Sequence, residues 1–402
     1  MDRRSWLPED VRAHNRGLLL RLLTEQGPLS RRELAGRTGL SIPTVTSIVS
    51  DLADEGCVSE AVPQIRSARR GPRATVVTLS RHAFTVLGVE IGTDEVRLGR
   101  VDLSGLLTEV TTLPVPRDAP SQQVIDVAVD AAAPIVAAAG RAVVGIGVAV
   151  PGPVDAARRR CALSLSRGWR DVDIADRFER ALGKPTIVDY NVRAMAAAEA
   201  RHGLGQRAEN LLYVHIGDGV GFAFVVDGRP FRQGAHGVSE LGHLQVTTDG
   251  PRCVCGSIGC LEAVLCEPNL RAQVAAARSA VLAQPGMRER PPLDALDIAV
   301  HAGDPVADRL LDEFAQHVGT AVALNVNVFS PTRVALGGIL ATAPKEVLQR
   351  VLTATRSKVC SVLRQQVSVE PSALGQHAGL LGAATVVIDE LLYDRGPVAT
   401  PA

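Results

Sequence analysis

Residues Glu240 to Glu262 read E-L-G-H-L-Q-V-T-T-D-G-P-R-C-V-C-G-S-I-G-C-L-E, which places His243, Cys253, Cys255 and Cys260 within eighteen residues. One imidazole and three thiolates form the donor set of a closed tetrahedral zinc site. Gly250, Gly256 and Gly259 give this loop the backbone freedom to bring all four donors to one point. Glu240 and Glu262 bracket the cluster, and carboxylates are strong acceptors for hydroxyl groups. A metal knot holding two carboxylates beside one pocket suits a polyol. The alternatives are three merely buried thiols, a purely structural zinc with no ligand nearby, and carboxylates that are only solvated or salt-bridged.

Working outward, a chain of 402 residues has room for two or three domains. It is 46% hydrophobic and 21% charged, enough apolar material for a sizeable core. Lys and Arg number 43, as do Asp and Glu. Net charge therefore exerts no overall pull towards nucleic acid or membrane, and any such partner must meet a local patch. The longest apolar run, Ala142 to Val154, carries Gly and Pro and falls short of the ~18–20 residues of a membrane span. The opening M-D-R-R-S-W-L-P-E-D-V has no apolar signal core, so the expectation is a cytoplasmic protein with no membrane partner. Seven cysteines, three of them clustered, suit a metal site in a reducing compartment better than a disulfide framework. Cys57, Cys161, Cys266 and Cys360 read as core residues.

Residues 1–80 read as a DNA-binding unit. A helix is predicted from Glu9 to Gln26, with Val11, Leu18, Leu19, Leu22 and Leu23 on one face. Gly27-Pro28 ends it. Ser30 and Glu33 form a capping box for a second, short helix that stops at Gly39. A third helix opens at Ser41 and buries Val45, Ile48, Val49 and Leu52 at helical spacing. Its other face offers Ser41, Pro43, Thr44, Thr46 and Ser47 to DNA. This is the pattern of a helix-turn-helix whose last helix reads the groove. A β-wing follows, carrying Arg69, Arg70 and Arg73 around Gly71-Pro72. The segment holds 12 Arg against nine acidic residues. Arginines on such a turn can enter a minor groove and neutralise phosphates. The alternative is a dimerisation module with a solvated basic loop.

From residue 81 the pattern changes to α/β. Strands are predicted at Phe84–Glu90, Val96–Val101, Leu107–Leu113, Val143–Val150 and Thr186–Asp189, with helices at Ser121–Ala139, Ile174–Leu182 and Val192–His202. Leu211–Ile216 and Gly221–Val226 start the same order again, and the cysteine-rich stretch falls in the insertion after that hairpin. We place a first half at 81–200, a second at 201–377, and a closing helix at 378–392 that packs back on the first. Three strands followed by alternating helices and strands specify a mixed sheet covered on both faces.

The motifs resemble the ROK family (repressors, open reading frames and kinases) from about residue 9 to residue 390. The matching residues are V-A-V-P-G-P-V-D at 148–155, G-W-R-D-V at 168–172, E-x-G-H at 240–243 and C-x-C-G-x-x-G-C-x-E at 253–262. The helix-turn-helix is similar to that of the family's regulator branch. The resemblance implies a duplicated actin-like (ribonuclease H-like) ATPase fold behind a winged helix. It also implies a regulator that binds operator DNA as a homodimer or dimer of dimers, under control of a sugar or sugar-derivative effector.

It further implies where kinase chemistry would have sat. The family's kinases carry D-I-G-G-T-K at the first phosphate loop, where this chain has Glu90-Ile91-Gly92-Thr93-Asp94-Glu95. Their G-T-G is Gly217-Asp218-Gly219 here. Carboxylates facing a phosphate at ~4 Å and an effective dielectric of ~20 repel by roughly 4 kcal/mol per pair. Asn191 occupies the position of the catalytic aspartate, and an amide cannot take a proton from a sugar hydroxyl near neutral pH. The resemblance therefore leaves no catalytic residue, and it assigns Glu240, His243, Glu262, Asn191, Tyr190 and Ser166 to effector binding. The other readings are a zinc-containing sugar kinase, and a regulator with a vestigial pocket answering to a protein or a non-sugar ligand.

Overall fold

The computed structural model describes residues 7–61, 75–80, 83–232 and 240–393. The N-terminal unit holds helices α1 (Pro8–Gln26), α2 (Arg31–Thr38) and α3 (Ile42–Asp54). Strands β1 (Leu29–Ser30), β2 (Val58–Ala61) and β3 (Val76–Leu79) form a sheet ordered β1-β3-β2. Ser30 accepts the Glu33 amide while Glu33 reaches back to the Ser30 amide, so α2 starts on the predicted capping box. Gly39 closes the helix in the left-handed conformation. In α3, Val45, Ile48, Val49 and Leu52 are buried, as their spacing requires.

The face of α1 departs from the expectation. Gly17, Leu19, Leu20 and Leu23 are its buried residues, whereas Val11 is exposed. The stripe is rotated because α1 serves two neighbours, packing on the winged helix and also on the turn at Asp389–Tyr393.

The remaining chain forms two five-stranded sheets of the same plan. The first contains β4 (Thr85–Ile91), β5 (Glu95–Asp102), β6 (Leu107–Pro114), β7 (Val143–Val150) and β10 (Thr186–Tyr190), ordered β10-β7-β4-β5-β6. A separate hairpin, β8 (Arg160–Ser164) and β9 (Trp169–Asp173), follows β7. The second sheet contains β11 (Asn210–Ile216), β12 (Val220–Val226), β13 (Arg229–Pro230), β14 (Arg333–Gly338) and β15 (Ser368–Pro371), ordered β13-β12-β11-β14-β15. In each, three parallel strands adjoin two antiparallel ones. This is the duplicated topology expected from the strand order.

Helices α4 (Ser121–Ala139) and α5 (Ala175–Leu182) pack with the first sheet. With the turn to Ala142, α4 is apolar and long enough to cross a bilayer, which corrects the expectation that no apolar segment reaches that length. Its Val124, Ile125, Ala128, Val129, Ala132 and Val136 are buried in the first core. The second sheet is flanked by α7 (Leu261–Leu265), α8 (Glu267–Ala276), α9 (Pro292–His301), α10 (Pro305–Phe329) and α11 (Lys345–Lys358).

Two helices join the sheets: α6 (Asn191–His202) and α12 (Ala378–Ile388). Both are built from small residues, and the reason is distance. A Cβ at Gly88 or Gly147 would strike the α12 backbone at Leu380 or Ala383, and one at Gly382 would strike the α6 backbone at Ala194. Every residue of α6 from Val192 to Ala200 is buried, so the helix is clamped along its length.

Candidate metal and ligand site

The four predicted metal donors come together. One ligand atom from each of His243, Cys253, Cys255 and Cys260 lies within 4.8 Å of all the others. The loop achieves this by folding on itself twice. Gln245 pairs with Cys260 and Arg252 with Ile258, and the Ser257 carbonyl accepts the Cys253 amide at 2.8 Å. Gly256 and Gly259 both have positive φ, and a Cβ at Gly259 would collide with the Thr247 carbonyl. Cys253 and Cys260 are buried while Cys255 is exposed. The Ser257 amide draws the Cys255 thiol down to about 7, whereas burial raises those of Cys253 and Cys260, so a cation bound by all three must displace their protons. This donor set fits a closed tetrahedral ion. Of the other cysteines, Cys57, Cys161 and Cys266 are buried as expected, but Cys360 is exposed at the end of α11. That corrects its reading as a core residue.

The imidazole of His243 has two faces. Its Nδ1 lies 3.5 Å from Cys253 Sγ, and its Nε2 lies 3.7 Å from the Glu240 carboxylate. Glu262, in the first turn of α7, accepts the Val220 amide at 3.1 Å. The third member is Tyr190, at the end of β10. Its phenol reaches β12, where a Cβ on Gly221 would lie 2.7 Å from the hydroxyl. Burial raises the Tyr190 phenol, and the charges of Glu240 and Glu262 raise it further. Tyr190 therefore lies within electrostatic reach of both carboxylates. Asn191 starts α6 and turns its Oδ1 to the Val192 amide at 2.9 Å. Ser166 lies on the β8–β9 turn, 3.3 Å from the Ser164 hydroxyl; among the described residues it makes no hydrogen bond to the other five.

At the loops that correspond to the kinase phosphate sites, the electrostatics differ from the sequence expectation. Asp94 and Asp218 are not unpaired. The Arg117 guanidinium bridges them, at 3.1 Å to Asp94 and 3.0 Å to Asp218. Thr93 donates its hydroxyl to Asp218, tying the β4–β5 turn to the β11–β12 turn. Beneath them the buried Arg167 donates to the Gly92 carbonyl at 2.8 and 2.9 Å and to the Pro116 carbonyl at 3.1 Å. Asp94 and Asp218 are therefore charge-compensated and tied to one another, not left as bare carboxylates. Arg117 was invisible in the sequence, because it lies in the β6–α4 loop outside every motif.

On the winged helix, Ser41 caps α3 by accepting the Thr44 amide at 3.2 Å, and its hydroxyl also meets that of Thr44 at 2.8 Å. Ser41, Pro43 and Ser47 are exposed, and Thr44 and Thr46 are partly buried. Arg12 of α1, which the motif reading passed over, stands 3.4 Å from the Ser47 hydroxyl and pairs with Asp51. It puts a cation beside a recognition helix that has none of its own. Arg69, Arg70 and Arg73 lie outside the described residues.

Known proteins agree with this anatomy. The ROK family model matches residues 86–390, and a winged helix-turn-helix DNA-binding model matches residues 13–59. The xylose repressor of Bacillus subtilis is 27% identical over 386 residues, covering 95% of this chain and 97% of its own length. A crystal structure of a ROK family transcriptional regulator, a homologue of the E. coli MLC protein, superposes with a TM-score of 0.81 at 25% identity over 96% of this chain and 98% of that one. A ROK family glucokinase from Streptomyces griseus, solved with glucose and AMPPNP, gives 0.65 at 26% identity over 75% of this chain and 98% of its own. The glucokinase thus matches three quarters of this chain, whereas the regulator matches nearly all of it. The chain belongs to the ROK family, in its branch of transcriptional regulators with an N-terminal winged helix-turn-helix.

Proposed function

We propose that this protein is a cytoplasmic transcriptional repressor whose cleft takes a sugar or sugar derivative and whose kinase activity has been lost. The observation that carries the reading is the N-terminus of α6. There Tyr190 lies within electrostatic reach of Glu240 and Glu262, and Asn191, the first residue of the helix, would stand where the family's kinases carry their base. Carboxylates and an amide can hold hydroxyls, but an amide cannot deprotonate one. Support for the ligand class comes from the xylose repressor, which matches this chain nearly end to end.

His243, Cys253, Cys255 and Cys260 would hold zinc, which fixes the loop and so the orientation of its histidine. Glu240, His243, Glu262, Tyr190 and Asn191 would contact the effector, with Ser166 at the margin. Ser41, Pro43, Thr44, Thr46 and Ser47 would meet operator DNA, together with Arg69, Arg70 and Arg73. A homodimer or dimer of dimers would match a two-fold operator. We further propose boundaries at 1–80, 81–200 and 201–377, with 378–392 returning to the first half.

The test is ATP consumption by the zinc-loaded protein across a panel of sugars, alongside calorimetry with the same panel. Sugar binding without turnover is expected. Turnover that disappears in Asn191→Ala would overturn the reading.

A further inference from the structure

Helix α6 begins in the ligand pocket and ends against the DNA-binding unit. Its C-terminal Arg201 pairs with Asp389 and lies 4.8 Å above the Tyr393 ring. Arg21 of α1 reaches the same two residues, 3.9 Å from the Asp389 carboxylate and 5.5 Å from the Tyr393 ring. Thr24 of α1 donates to the Leu20 carbonyl, so at 2.9 Å its oxygen accepts the Tyr393 hydroxyl. The backbone of Gly17 rests directly on the Tyr393 carbonyl, where any Cβ would collide. Tyr393 is itself 2% exposed. One buried tyrosine thus receives α6 from one side and the first helix of the winged unit from the other.

We propose that α6 is a rigid relay, about 17 Å long, which converts a shift of Tyr190 and Asn191 into a shift of α1 through Arg201, Asp389 and Tyr393. The proposal rests on the reading that the pocket binds a polyol and the winged helix binds DNA. The mechanical argument is packing. Val192 to Ala200 are buried throughout, and Gly382 of α12 meets the α6 backbone at Ala194. A helix held this closely moves as a body, because close-packed interiors transmit displacement instead of absorbing it. Tyr190, just before the helix, and Arg201, near its end, then report to one another. Tyr393 and its partners are positioning residues, acting through α6 and α1.

The test is amide hydrogen exchange on the full chain, with and without a DNA fragment recovered by mapping its chromosomal sites. Coupling is reciprocal, so DNA at the winged helix is expected to change protection at residues 190–193 in the parent. Tyr393→Ala and Gly17→Ala are expected to abolish that response, and Thr24→Val, which keeps the ring stack, to weaken it. With a bound sugar, the parent's operator affinity is expected to change on the order of 5–150-fold, and both uncoupled variants by less than about twofold. DNA that leaves residues 190–193 unchanged in the parent overturns the relay, as does a response that survives both substitutions. A parent that binds DNA and shows the response, yet takes up none of glucose, xylose or N-acetylglucosamine, supports the relay and removes the sugar reading. A parent that binds no DNA removes the DNA-binding reading and the relay with it.

Discussion

His243 points its Nε2 at Glu240, 3.7 Å away, while its Nδ1 faces the cysteine cluster. The ring therefore links the cluster of metal donors to Glu240, the carboxylate proposed to contact the effector. Removing the metal with a chelator is expected to lower thermal stability and sugar affinity together. Cys260→Ser is expected to reproduce both losses, because Cys260 is fully buried in the loop. Calorimetry on metal-free protein checks this: sugar affinity that survives chelation would show that the metal and the pocket are independent.

Arg117 is expected to matter little for stability. Its pairs with Asp94 and Asp218 are about half exposed, and exposed pairs are worth about 0–1 kcal/mol. Arg117→Ala should lower the unfolding free energy by no more than that in denaturant titrations. Asn191→Asp, which supplies a base, should still give no ATP turnover, because Asp94 and Asp218 remain in place, held together by Arg117 and Thr93. Measurable turnover in Asn191→Asp would show that the loops still accept a nucleotide.

Much of this anatomy was legible in the sequence, and the gaps have physical causes. The capping box at Ser30, the buried stripe of α3 and the donor spacing from His243 to Cys260 are local patterns, and the described structure contains all three. The β8–β9 hairpin was missed because R-C-A-L-S and W-R-D-V-D lack clean alternation, and its Arg160–Asp171 pair shows only once the two strands lie side by side. Arg117, Arg12 and the Tyr393 junction join residues far apart in the chain, so neither periodicity nor motif could reveal them. The α1 face was misread for the same reason, since a second neighbour claims Gly17 and Leu20.

Acid should destabilise the protein through two histidines. Burial pushes His202 and His215 down to about 4, so each is neutral in the fold at a pH where the unfolded chain binds a proton. Their contribution is complete above about 6.5 and is lost as pH falls from there towards 4. Glu90 opposes this. Burial raises it to about 7 against the pull of Arg97, so it favours the fold more as pH falls from about 7 to 4.5. Melting temperatures across this range should decline less steeply in His202→Gln and more steeply in Glu90→Gln. Identical slopes in all three proteins would refute the assignment.

The cap of α2 allows a clean stability measurement. Ser30→Ala removes the side-chain half of the capping box and is expected to cost about 1 kcal/mol. A cost near zero in equilibrium unfolding would mean that the tertiary contacts of Leu34 hold the helix unaided.

The phosphate contacts proposed for Arg69, Arg70 and Arg73 predict a salt signature. Replacing Arg69, Arg70 and Arg73 with Ala should weaken operator binding and flatten its dependence on salt, because fewer counterions are released. An unchanged slope would place the phosphate contacts elsewhere, with Arg12 beside Ser47 as the next cation to substitute.

The central claim, that a sugar-type ligand in the cleft controls DNA binding, is tested most directly by one titration. The zinc-loaded full chain is titrated against a fluorescent operator fragment, with and without each member of a sugar panel. The account predicts that at least one sugar shifts the operator affinity severalfold or more, and that Glu240→Gln with Glu262→Gln abolishes the shift while leaving sugar-free operator binding intact. An operator affinity that no sugar moves would contradict it.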